Sequence, residues 1–154
     1  MHARAIAPLF TLACALLAGC AATPQASEEA NEMAQRFEAR RDAAVIFVYR
    51  DDRFGPQNQF TGLIDQRVFG QILPTTFFKL VEFPGPRAVS IGGPTNASVT
   101  LQTEANVVYF IRLRVDGSAV RLQQVPPEQG EREIVSCCDL MENWRRGQQR
   151  LLLF

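Results

Sequence analysis

The chemistry open to this 154-residue chain rests on four cysteines, one histidine and a handful of carboxylates. Cys137 and Cys138 are neighbours, while Cys14 and Cys20 sit near the start. A thiol can fill a core, close a disulfide or carry a covalent attachment, and its surroundings decide which. Among the carboxylates, Asp51 and Asp52 are adjacent, with Asp65 and Glu82 further on. Paired carboxylates serve hydrolysis or calcium binding when a rigid element holds them together. The stretch DDRFGPQN (51–58), with its charges, Gly55 and Pro56, instead reads as a loop, where aspartates usually form turns.

The neighbours of Cys20 point to attachment. Arg4 is the one firmly charged residue before position 28, and Ala5 to Leu17 is an uncharged apolar run. That run is about 13 residues, against about 20 for a helix that crosses a bilayer. A positive start, an apolar stretch and small residues before a cut make a secretory signal. Leu17-Ala18-Gly19-Cys20 resembles the lipobox of bacterial lipoproteins. There the cysteine thiol takes a diacylglycerol through a thioether, the chain is cut in front of it, and its freed amine is commonly acylated too. Several chains, palmitate among them, matter because one acyl chain holds a protein to a membrane only marginally. The expected division is a signal peptide over 1–19, a lipidated tether over 20–27 and one domain over 28–154. Ala21 stands where an aspartate would mark retention in an inner membrane. The expected address is therefore the periplasmic face of an outer membrane, with the membrane itself as a partner.

Cleavage before Cys20 removes His2, the only histidine, and with it Ser-His-Asp and Cys-His catalysis and any histidine-ligated metal. The 16 basic and 16 acidic residues become 15 and 16 once Arg4 is gone. Charge is balanced and no basic stripe carries interleaved aromatics, so nucleic acid is not expected as a partner. The residues suggest no cofactor and no metal set. Cys137 and Cys138 become the remaining thiols in an oxidising compartment. Adjacent Cα atoms lie about 3.8 Å apart, below the usual disulfide range of about 4.4–6.8 Å. Three roles stay open for the pair: apolar filler, a vicinal disulfide, or a bond to another chain.

The elements that must position these residues follow from periodicity. SEEANEMAQRFEARR (27–41) reads as a helix, with Ser27 as its cap, Arg40 and Arg41 at its end, and Met33 and Phe37 on one apolar face. AAVIFVYR (43–50) has no polar interruption until Arg50 and reads as a strand covered on both sides. FTGLIDQRVFGQIL (60–73) reads as two strands around a turn at Asp65-Gln66, and TTFFKLVEF (75–83) as another. Pro84-Gly85-Pro86 turns the chain into Arg87–Ile91, and GGPTNA (92–97) is a loop before SVTLQT (98–103). In Asn106–Val115 the odd positions from Val107 share a face and Arg112 and Arg114 point the other way. Asp116-Gly117 signals a hairpin into Ala119–Val125. Glu128–Cys138 reads as a short helix, Trp144 as an anchor for the tail, and Gln149–Phe154 as a last strand or docked segment. The sum is a mainly β fold: a single β-sandwich domain of about eight short strands, with a short N-terminal and a short C-terminal helix.

The order of these pieces resembles a bacterial family often found in lipoproteins, domain of unknown function 2846. The likeness spans about Ala43 to Val125: a first strand ending in Tyr49-Arg50, a hairpin with Asp65 and Gly70, the Pro84-Gly85 turn, and an aromatic strand around Tyr109 and Phe110. Gln66 departs from the glycine-rich turn of the family. The resemblance implies a β-sandwich of extracytoplasmic accessory type and brings no activity with it.

Two functions compete on these grounds. The first is a membrane-anchored envelope lipoprotein that binds an envelope protein or a glycan without catalysis, with Arg112, Arg114 and Arg121 as a basic binding face. The second is an envelope hydrolase that uses Asp51, Asp52 or Glu82, and it requires a pocket where two carboxylates converge.

Overall fold

Strand β1 (Ala44–Arg50) organises the molecule. A computed structural model of the chain describes residues 23–53, 56–92 and 97–144, and in it all seven residues of β1 are buried. The strand lies mid-sheet, antiparallel to β4 (Thr76–Glu82) and parallel to β7 (Val108–Asp116). With β8 (Ala119–Val125) outside β7, and β9 (Asp139–Leu140) outside β4, these form a five-stranded sheet in the order β8-β7-β1-β4-β9. A second sheet runs β3 (Arg67–Ile72), β2 (Phe60–Ile64), β5 (Gly85–Gly92), β6 (Ser98–Thr103). The two pack face to face, which is the expected sandwich with one more strand than the sequence pattern suggested.

The uninterrupted apolar run in β1 has a direct cause, because each face of the strand meets its own core. Ile46 and Val48 join Phe69, Phe78, Leu80, Ile91 and Leu113 between the sheets. Val45, Phe47 and Tyr49 look outward, onto a second cluster with Phe77, Phe110, Val125 and Ile134. Each large side chain fully buried in this way is worth about 1.5–3 kcal/mol of transfer free energy. The outer cluster is roofed by helix α2 (Pro127–Cys137), which starts with Pro127 in the first turn, where a missing N–H is harmless. Gly130 lets that helix sit down: a Cβ there would lie 2.4 Å from the Phe110 ring.

Helix α1 (Glu28–Ala34) is shorter than its sequence pattern suggests. Ser27 caps it as expected, its hydroxyl accepting from the Ala30 N–H at 3.2 Å. The chain then leaves the helix because Phe37 takes a left-handed conformation (φ 51°) that drops its ring onto Phe47 and Phe110, at centroid distances of 5.1 and 5.5 Å. A short helix has little stability of its own to oppose that burial. Met33 is left 56% exposed, so it shares no face with Phe37, and Arg40 and Arg41 lie beyond the helix rather than at its end.

The β2–β3 turn keeps its place without glycine. Asp65 and Gln66 both have positive φ (47° and 66°), as a two-residue hairpin turn demands. Asp65 is held there from the side: its carboxylate accepts from the Ala88 N–H at 2.8 Å and from Arg87 at 2.9 Å. At the opposite end of the sandwich Gly117 (φ 61°) makes the β7–β8 hairpin anticipated at Asp116-Gly117.

Of the expected tether over 20–27, the described part from Thr23 onward is docked on the domain. Thr23 is buried, its hydroxyl accepting from the Gln71 N–H at 2.8 Å. Gln25 pairs antiparallel with Met141, and Ala26 and Glu142 exchange backbone bonds with Leu140 and Pro24 across the same ladder. The reason is β9, which offers an unpaired edge that residues 24–26 fill. Trp144 is 6% exposed and its N–H donates to the Phe69 carbonyl at 2.8 Å, tying the first sheet to the edge of the second. Among the described residues no helix is long and apolar enough to cross a membrane. The signal segment, Cys20 and Gln149–Phe154 lie outside the described residues.

Candidate functional site

The far end of β1 gathers the polar residues. Tyr49 points outward under α2, and a buried phenol needs a partner for its hydroxyl. Glu133, one turn before the end of α2, supplies it by accepting the Tyr49 O–H. The same carboxylate accepts from Arg112 at 2.8 Å and from Gln129 at 2.7 Å, the latter one helical turn away. Burial first, then the hydrogen bond and the charge of Glu133, push the Tyr49 hydroxyl well above the usual tyrosine range, against a smaller opposing pull from Arg112. Tyr49 therefore stays protonated and serves Glu133 as a donor. Three donors converge on one carboxylate and pin α2 to the sheet. Among the described residues, Arg112 Nε is the one buried side-chain polar atom without a hydrogen-bond partner.

Arg50, the next residue, is fully buried and faces the other way, its guanidinium 5.4 Å from the Phe60 ring centroid. It donates twice to Asp52, at 2.5 and 2.7 Å, and to the carbonyls of Asn58 and Pro56 at 2.6 and 2.5 Å. Arg50 is thus the post around which the loop after β1 is wound, and Asp52 is its counter-ion. Cys137 and Cys138 complete this end. They are joined in a vicinal disulfide, with Cys138 Sγ 3.5 Å from the Arg50 carbonyl oxygen and Cys138 packed into the outer cluster.

The carboxylates named as hydrolytic candidates do not meet. Glu82 pairs with Arg67 beside Ala44, whereas Asp51 and Asp52 follow Arg50 at the other end of β1. Six residues of strand separate those ends by about 20 Å. The three arginines also divide. Arg112 is 8% exposed and ion-paired beneath α2, because the helix after β8 folds back over Phe110. Arg114 and Arg121 are cross-strand partners and stay in the open, lining a shallow depression with Asp116 at the β7–β8 hairpin. Like charges directly opposite each other repel, so that pair is the part of the expected face that could gain from an anionic ligand.

Sequence alone missed Glu133 as the shared acceptor. The sequence signal was the i, i+4 pair Gln129 and Glu133 on the helix after β8, which gained meaning only once that helix was seen to cover Tyr49.

Fold and site together define a helix-roofed β-sandwich with a half-buried carboxylate pin. Compared with models of known families, with curated proteins and with solved structures, the chain finds no match.

Proposed function

We propose that the protein is a bacterial envelope lipoprotein, anchored through acyl chains on Cys20, that acts as a non-catalytic binding or accessory module. The observation that carries this reading is the run Leu17-Ala18-Gly19-Cys20 behind a short apolar segment. The position of Ala21 favours the periplasmic face of an outer membrane. The likeness to domain of unknown function 2846 supports the same setting through its order of features. Arg114 and Arg121 are the side chains offered to an anionic partner, an envelope protein or a glycan. Fractionation tests the anchor: wild type stays with membranes through a high-salt wash and Cys20→Ser moves to the soluble fraction. Crosslinking in envelope extract tests the face, with a captured partner lost when Arg114 and Arg121 are both changed to Ala. Equal distribution of wild type and Cys20→Ser would end the reading.

A further inference from the structure

The anchor leaves the domain no room to stand clear of the bilayer. Thr23 is fixed inside the body, and the strand that leads back to it runs from Ala26 beside Leu140 to Pro24 beside Glu142. The Met141 backbone N–H donates to the Phe77 carbonyl and the Asn143 side-chain amide to that of Lys79, so this direction is the direction of β4 toward Glu82. Three residue steps from Thr23 back to Cys20 reach at most about 10 Å. From Lys79 to Phe83, four residues of extended chain cover about 13 Å in the same direction. The β4–β5 turn therefore projects at least as far as the lipidated cysteine can.

That turn carries Phe83, 79% exposed and the most exposed large apolar side chain among the described residues. Around it Arg67, Arg87 and Arg40 are matched by Glu82, Asp65 and Asp42, so the end of the molecule is close to neutral. An aromatic ring on a charge-balanced tip suits the boundary between headgroups and acyl chains, where apolar burial gives the attraction. We infer that the Phe83 end of the sandwich is a membrane-contacting surface whose partner is the lipid bilayer, with Phe83 inserted at the interface. The hairpin with Arg114 and Arg121 then faces away from the membrane, since β7 runs parallel to β1 and ends at the opposite pole.

This inference rests on the anchor proposed at Cys20, and its test separates the two. Full-length acylated protein is reconstituted in phospholipid vesicles as Phe83→Trp and, as a control at the far hairpin, Ser118→Trp. Both positions are exposed, so neither change touches the core, and buried Trp144 adds the same background to each. Brominated phospholipid should quench the residue-83 signal several-fold more than the residue-118 signal, with a blue shift at 83 alone. Equal quenching in protein whose Cys20 carries its acyl chains overturns the inference and leaves the anchor standing. A Cys20 without acyl chains overturns both.

Discussion

Replacing Glu133 by alanine probes the carboxylate pin most sharply. The Arg112 side chain is 10% exposed and that of Glu133 23%. Glu133→Ala therefore strands a buried guanidinium and takes the acceptor from the Tyr49 hydroxyl. Breaking a buried pair by deleting one partner costs about 3–5 kcal/mol. The partial exposure of the carboxylate puts the expected loss near the lower end, about 3 kcal/mol. For a domain of this size that is a fall of about 12 °C in Tm. Urea titration followed by the fluorescence of buried Trp144 reads the loss directly. The double variant Arg112→Met, Glu133→Leu should recover part of it, because no charge is then left unpaired while the Tyr49 hydroxyl still lacks its acceptor. A Glu133→Ala loss under about 1 kcal/mol, or a double variant no better than the single one, would refute the pin.

Gly130→Ala places a methyl 2.4 Å from the Phe110 ring, so α2 must lift; the expected cost is about 1–3 kcal/mol, measured by the same titration. Tyr49 also predicts an alkaline limit. The unfolded chain releases its phenolic proton as pH passes about 10 while the folded protein keeps it. Its contribution is complete below pH 10 and is lost above it at up to about 1.4 kcal/mol per pH unit, a slope that Tyr49→Phe removes in urea midpoints taken between pH 9 and 11. The bond between Cys137 and Cys138 predicts a monomer about 2 Da lighter than its reduced form by intact mass, and a covalent dimer would contradict it.

Strands were the readable part of this sequence. In β7 the alternation placed Ile111 and Leu113 between the sheets as expected. The same alternation put Arg112 and Arg114 on one face, yet it could not say that α2 would cover one and spare the other. That depends on where Gly130 meets Phe110, a contact between residues 20 apart in the chain. Helix α1 misled because residues 35–41 have helical composition, while the aromatic pocket made by Phe47 and Phe110 claims Phe37. Strand β9, two residues long, has no periodicity to detect, and the docking of Thr23–Ala26 follows from it. Glu133 could be suspected only after Tyr49 was known to be buried beneath the helix that carries it.

The function proposed here rests on lipid attachment at Cys20, a proposal that the mass of the N-terminal peptide tests most directly. Protein made in a bacterial host from the full sequence and extracted with detergent should yield a peptide that begins at Cys20. That peptide should carry a thioether-linked diacylglycerol, which Cys20→Ser abolishes. A Cys20 peptide of unmodified mass, or a mature chain that begins elsewhere, would contradict the account.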